Sequence, residues 1–197
     1  MRQTAKYALD RIAAACLLFV LAPLLIAIAG AVRLGSPGPV LFRQRRVSKD
    51  GELFDLLKFR SMRVDDTPAV LDRCHDIAPG GVEGCDRRTT VGRFLRSSSL
   101  DELPQLFNVL RGEMSLIGPR PERPEFVEQF QRTIDGYDNR HRVKAGITGL
   151  AQVHGFRGKT SIAGRIEKDN HYIDNWSFAL DFKILCLTPL AALRSAE

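Results

Sequence analysis

The chain of 197 residues carries 29 Lys and Arg against 23 Asp and Glu, a net charge of +6 and a pI near 9.4. Beyond an apolar N-terminal stretch, about 160 residues remain, enough for one compact domain with its own core. The basic balance suits a phosphate-bearing partner such as anionic lipid, nucleotide or nucleic acid, and charge alone does not choose among them. The 4 cysteines show no CxxC spacing, so neither a disulfide framework nor a zinc site is supported, and a reduced cytoplasmic compartment is the simpler reading.

Residues 12–32 form an uncharged run of 21 residues, IAAACLLFVLAPLLIAIAGAV, with Pro23 at its centre. A helix needs roughly 20 apolar residues to cross a bilayer. A secretory signal would have a shorter apolar region, about 7–15 residues, so the segment reads as a permanent anchor. Arg2, Lys6 and Arg11 precede the run, and Arg33, Arg43, Arg45, Arg46 and Lys49 follow it. Lys and Arg favour the cytoplasmic side, so both flanks ask for the same face. Proline removes an amide donor and clashes with the preceding turn. A re-entrant helix that enters the bilayer, breaks at Ala22-Pro23 and returns is therefore favoured, with a spanning anchor kinked at Pro23 as the alternative. Cys16 in this run and Cys186 near the C-terminus read as packed thiols. Cys74, beside His75, and Cys85 have no assigned role.

The LGSPGP cluster at 34–39 ends the helix. Asp50-Gly51 then separates a β-favouring segment at 40–47 from an apolar-rich one at 52–60, which predicts a hairpin. Residues 64–90 are polar and rich in Pro and Gly, the pattern of a long loop over a site. From Ser99 the pattern turns helical: Leu100, Leu103, Leu106, Phe107 and Leu110 recur at three- and four-residue steps, and Gly112 ends the run. A second amphipathic stretch uses Phe126, Val127, Phe130 and Ile134. The apolar C-terminal segment contains Asp181, Lys183 and Pro189, which suits helices at the bilayer surface better than a second crossing, with Trp176 at the interface. The same faces could instead form the domain core. The expected fold is α+β and mostly helical, with residues 1–35 as the membrane anchor and residues 36–197 as a cytoplasmic-face catalytic domain. It combines a re-entrant helix, a small β-hairpin and amphipathic interfacial helices around a membrane-surface active site.

Asp101-Glu102 is the most informative polar pair. Adjacent acids in a first helical turn commonly do no more than complement the helix dipole. Here Arg93 and Arg96 precede them, and Arg120 follows in a Gly118-Pro119-Arg120-Pro121 turn, so guanidinium groups can converge with the amides of the helix N-terminus on a phosphate. Side by side on a helix the two carboxylates point about 100° apart, so one is free to attack while the other holds a metal. Lys58 and Arg60 add two cations on one face of a strand, unless they only guard an edge. The glycines of Lys144–Gly149 and of Gly155-Phe156-Arg157-Gly158 let backbone approach a ligand closely, or serve as ordinary turn residues. Neither string is a nucleotide-binding loop of a known pattern.

The strings PVLFRQRR, KFRSM, RSSSLDELPQLFNVLRGEMSLIGPRPE, HRVKAGITGLAQVHG and DNHYIDNWSFALDFKILCLT, in this order, resemble the monotopic polyprenol-phosphate phosphoglycosyl transferases, the bacterial sugar transferase family. The resemblance covers nearly the whole chain and is to the minimal catalytic form. It implies transfer of a sugar 1-phosphate from a UDP-sugar to polyprenyl (undecaprenyl) phosphate with release of UMP, at the start of exopolysaccharide or glycoconjugate assembly. The GFRG and YIDNWS strings are similar to members that load a hexose, often glucose, with galactose another candidate. By position, Asp101 would be the nucleophile of a ping-pong reaction through an aspartyl-phosphosugar, and Glu102 would be the partner acid that helps bind Mg2+. Arg96 and Arg120 would bind phosphate, joined by Lys58, Arg60 and Arg157. The implied setting is the cytoplasmic face of the bacterial inner membrane. The implied partners are membrane lipids and downstream glycosyltransferases, no nucleic acid, with a homo-oligomer left open. Two departures stand out: Ala22 replaces the serine often found before the helix-breaking proline, and Ala145 replaces the usual proline before GITG.

Three other readings make different predictions. A non-catalytic membrane-surface scaffold leaves the acidic pair unexplained, and Asp101→Asn would then change nothing. A nucleic-acid binder explains only the charge, and its binding would weaken steeply with salt. A phosphohydrolase would pass the same aspartyl-phosphate to water.

Overall fold

The computed structural model describes residues 2–63, 87–156, 158 and 160–194. Most of the long loop expected at 64–90, with Cys74 and Cys85, lies outside the described residues, as does Arg157. Elements are numbered in chain order over the described residues.

Helix α1 spans Arg2–Gly35 with Pro23 inside it. The helix continues through Pro23, so the break expected there does not appear as an interruption. By length and composition alone α1 could cross a membrane. Its residues at three- and four-residue steps, from Ala14 through Leu18, Leu21 and Leu25 to Ile28 and Val32, pack against the rest of the chain. The remaining face is apolar too: Phe19, Val20 and Ile26 are 84%, 71% and 72% exposed. A helix apolar all round with one face left uncovered is not built for water.

The hairpin forms as expected. Strand β1 (Leu41–Val47) pairs antiparallel with β2 (Leu53–Phe59), Leu41 opposite Phe59. Between them Asp50 and Gly51 both take positive φ, 56° and 80°, the left-handed backbone that an Asp-Gly turn supplies at little steric cost.

The single helix expected from Ser99 to Gly112 is divided, and a further helix precedes it. Helix α2 (Thr90–Ser97), a 3-10 turn (Leu100–Glu102) and helix α3 (Gln105–Arg111) follow one another. Ser99 adopts φ 57°, and Pro104, which lacks an amide donor, directly precedes α3. The periodicity therefore does not carry across: Leu106 is buried, while Phe107 and Leu110 are exposed. Gly112 ends α3 at φ 82°, as expected. Asn108, fully buried, donates to the Asp55 carbonyl and accepts from the Leu57 amide, stitching α3 to β2.

Strands β3 (Ser115–Ile117) and β4 (Gly146–Thr148) form a short parallel pair. The glycines here serve close approach of backbone to backbone: a Cβ on Gly146 would lie 2.1 Å from the Gly118 nitrogen, and one on Gly149 would lie 2.2 Å from its carbonyl oxygen. Helix α4 (Pro124–Thr133) buries Phe126, Val127 and Phe130 as expected. The short α5 (Leu150–Val153) leads to α6 (Ile162–Asp174) and α7 (Phe178–Arg194). Helix α7 buries Ile184 and Ala191 and leaves Phe178, Phe182, Leu185 and Leu190 exposed.

Both ends of α1 are bonded to this body. At the N-terminal end Lys6 lies 2.8 Å from Asp181 of α7 and 3.3 Å from Asp10. Ser115 of β3 donates to Asp10, and the Lys144 amide donates to the Tyr7 hydroxyl. Trp176, expected at the membrane interface, donates its indole N–H to Asp181 and packs partly into the core. At the C-terminal end Arg60, buried, donates to the carbonyls of Val32, Ser36 and Pro37. Val32 lies in the last turn of α1 and Ser36 and Pro37 just past it, where a cation is well placed at that end of the dipole.

Candidate active site

The 3-10 turn holds Asp101 and Glu102 between β2 and the Gly118–Pro121 turn that follows β3. Glu102 is pinned: Oε1 accepts from Arg120 Nη2 at 2.6 Å and Lys58 Nζ at 2.9 Å, and Oε2 accepts from Arg120 Nη1 at 3.2 Å. Burial pushes its carboxyl up, but the Arg120 and Lys58 charges and their hydrogen bonds outweigh that and hold it well below the usual carboxylate range. The Glu102 charge in turn raises the Arg120 guanidinium further. Asp101 is different. Its side chain is buried and hydrogen-bonded by no described side chain, and burial pushes its pKa up against the pull of Lys58, Arg96 and Arg120. Two neighbouring carboxyls are thus driven apart, a pattern that separates the group held permanently charged from the more basic, reactive one.

Of the cations expected around the pair, Lys58 and Arg120 meet at Glu102, and Arg96, on the exposed side of α2, acts on Asp101 through its charge. Arg60 does not join them. It follows the last residue of β2, so strand alternation no longer directs it, and the end of α1 takes its guanidinium. Ala22 and Pro23 lie mid-helix in α1. Ala145 is buried, and its carbonyl accepts from the Ser115 amide at 2.8 Å, so β4 pairs with β3 without the usual proline.

A magnesium ion is implied by the resemblance, and the donor set fits one in part. Among the described residues no group of three or more His, Cys, Asp or Glu converges. Mg2+, however, commonly takes only one or two carboxylates and completes its shell with phosphate and water. Glu102 Oε2, with a lone pair beyond its bond to Arg120, provides one.

Sequence reasoning missed the charges behind the site. The Arg120 carbonyl accepts from Arg140, which also pairs with Asp169, and Glu122 pairs with Arg165. A signal was present: Arg165, Ile166, Asp169 and Tyr172 share one helical face, so two charges sit on a core stripe. His141 packs edge-on against Tyr137. Burial first, then the Arg140 charge, push its imidazole down from 6.5 to about 4. The unfolded chain therefore takes up this proton first, so the stabilisation is present above pH 6.5 and lost as pH falls toward 4. Moving from pH 7 to pH 5 is expected to cost about 2 kcal/mol through this group. Thermal unfolding at the two pH values checks it: His141→Gln should flatten the difference, and an unchanged difference rejects the assignment.

Asp101, buried, and Glu102, half-buried between Lys58 and Arg120, thus sit on a body that carries a helix long and apolar enough to cross a membrane. The chain belongs to the bacterial sugar transferase family, whose sequence profile matches residues 1–195. It is 46% identical to the UDP-glucose:undecaprenyl-phosphate glucose-1-phosphate transferase of Escherichia coli (strain K12), over 93% of this chain and 39% of that protein. It is 43% identical to the UDP-N-acetylgalactosamine-undecaprenyl-phosphate N-acetylgalactosaminephosphotransferase of Aeromonas hydrophila, over 93% of this chain and 42% of that one. The exopolysaccharide production protein PSS of Rhizobium leguminosarum bv. phaseoli is 38% identical, over 95% of this chain and 94% of its own. The chain spans about two fifths of the length of the first two relatives.

Proposed function

We propose that the chain transfers a sugar 1-phosphate from a UDP-sugar to undecaprenyl phosphate, releasing UMP. The observation that carries this reading is the asymmetry of the pair: Asp101 has no hydrogen-bonding side chain among the described residues, while Glu102 is held by Arg120 and Lys58. The names of the relatives support the substrate classes. An ionised Asp101 oxygen attacks the sugar-bearing phosphorus, and the bond from that phosphorus to the bridging oxygen breaks, so UMP leaves with the electron pair. An oxygen of undecaprenyl phosphate then attacks the same phosphorus and returns Asp101 as a carboxylate. Arg120 and Lys58 offer donors to the phosphate oxygens, and Arg96 adds positive potential near Asp101. Magnesium, which Glu102 would help hold, would neutralise the diphosphate charge when bound.

Residues 1–35 serve as the membrane-embedded part and residues 36–197 as the catalytic body. We read α1 as entering the bilayer from one face in a re-entrant manner. Two features support this: Lys6 and Val32, near its two ends, both contact the same body, and both flanks are basic. The basic flanks favour the cytoplasmic side of the inner membrane for that face. The test incubates bilayer-reconstituted protein with magnesium, undecaprenyl phosphate and a panel of UDP-sugars including UDP-glucose and UDP-N-acetylgalactosamine. UMP and a lipid-linked sugar diphosphate are expected with at least one donor. No UMP from any donor rejects the reaction, and sugar phosphate released to water instead of lipid identifies a hydrolase.

A further inference from the structure

Arg120 reaches Glu102 from a turn that is itself held from behind. The Arg120 carbonyl accepts from Arg140 Nη2 at 2.7 Å, and the Pro121 carbonyl accepts from Arg46 Nη1 at 3.3 Å. The Glu122 carboxylate accepts from Arg165 Nη1 at 2.6 Å. Arg140 also pairs with Asp169 at 2.9 Å, both side chains 2% exposed, and donates to the Tyr137 hydroxyl. Three buried residues of this lattice, Arg140, Arg165 and Asp169, come from segments 18 or more positions beyond the turn.

Burying paired ions costs several kcal/mol per charge, and apolar side chains of similar volume often do as well or better for stability. Stability is therefore a poor account of the lattice. An apolar side chain cannot aim a donor at a chosen carbonyl, whereas a guanidinium presents five donors in a rigid fork. Arg140 uses its fork to join Asp169, Tyr137 and the Arg120 carbonyl at once. We infer that Arg140, Asp169, Glu122 and Arg165 are positioning residues that fix the backbone around Arg120, so that its own fork meets both oxygens of Glu102. The inference rests on the proposed role of Arg120 and Glu102 in transfer.

The test is a double-mutant cycle between Asp169 and Arg120 in the full chain, reconstituted in bilayers. It is read as UMP release from the UDP-sugar that the panel shows to be a donor and, independently of turnover, as the affinity for that donor by calorimetry. Asp169→Asn is expected to lower kcat/KM about tenfold in the wild-type background and less than about twofold in Arg120→Gln, because a residue acting through Arg120 has nothing left to position. Its thermal destabilisation should be the same in both backgrounds, and Asp169→Glu should restore part of the activity. Where Asp169→Asn does not fold, Arg140→Lys replaces it, keeping the charge without the planar fork. Equal losses in both backgrounds reduce the lattice to a stability role and overturn the inference. Wild-type turnover in Arg120→Gln alone removes Arg120 from the site, a failure of the underlying reading seen without any Asp169 variant. A wild-type chain that neither binds nor turns over any UDP-sugar of the panel overturns both.

Discussion

Asp101→Asn is expected to lower UMP release by about three orders of magnitude or more, the scale seen when a covalent nucleophile is removed. An amide cannot form the mixed phosphoric–carboxylic anhydride, so the first half-reaction stops. The same substitution should leave thermal stability unchanged or raise it. Burial raises the Asp101 pKa, which means the folded chain disfavours the charged form, and no described side chain hydrogen-bonds it. Asparagine removes that charge at nearly constant volume. Gained stability with lost activity is the mark of a site strained for its chemistry. Glu102→Gln should separate from it by lowering stability, since Arg120 and Lys58 would lose the carboxylate that pairs both. The raised pKa also sets a pH dependence. Attack needs the ionised form, so the acid limb of the first half-reaction should lie above the ordinary aspartate range and be absent from the residual activity of the variant. Normal turnover in Asp101→Asn would end the covalent mechanism.

Asp181→Ala is expected to be among the most destabilising single changes outside the site, by about 3–5 kcal/mol. Its two oxygens accept from Lys6 at 2.8 Å, the Tyr172 hydroxyl at 2.7 Å and the Trp176 indole at 3.1 Å. Lys6 is only 5% exposed, so removing its main partner leaves an ammonium out of water with Asp10 alone, at 3.3 Å. The Tyr172 hydroxyl can fall back on the Ile117 carbonyl, while the indole has no second acceptor among the described residues. Lys6→Met with Asp181→Leu should recover part of the loss, because apolar replacement of a buried pair costs less than orphaning one member. Thermal unfolding of the two variants checks this, and an Asp181→Ala shift within about 0.5 kcal/mol would show the hub to be solvated. Asp181 lies on α7, and Lys6 lies on α1 beyond the apolar stretch. The hub therefore ties the root of the membrane segment to β3, through Asp10 and Ser115, two residues before Ile117 and five before Arg120.

The exposed apolar faces follow the same logic. Phe19, Val20 and Ile26 of α1 and Phe178, Phe182 and Leu185 of α7 would be costly in water, at roughly 25 cal/mol for each Å² of apolar surface exposed. They suit a body seated on lipid, the phase that also holds the proposed acceptor.

Local rules were enough for some features. The apolar run, the Asp50-Gly51 hairpin, the Gly112 helix stop and the amphipathic face of Phe126, Val127 and Phe130 depend on residues close in the chain, and each appears where periodicity and turn chemistry put it. The resemblance carried by the acidic pair and the arginines was likewise legible, since motif strings need no tertiary contact. What the sequence could not decide was which cation faces which anion. Lys58 and Arg60 stand two residues apart and look equivalent, yet one bonds Glu102 and the other closes the end of α1. The β3–β4 pairing and the lattice around Glu122, Arg140, Arg165 and Asp169 join segments about 30–45 residues apart, each too short or too charged to announce a partner. Even the two adjacent carboxyls differ only through what folding sets around them: Glu102 within reach of two cations, Asp101 buried beside it with its oxygens free of described side-chain donors. Chain-local preference set the elements, and long-range burial of charge decided which of two neighbouring acids is held fast by cations and which is left without a described side-chain donor.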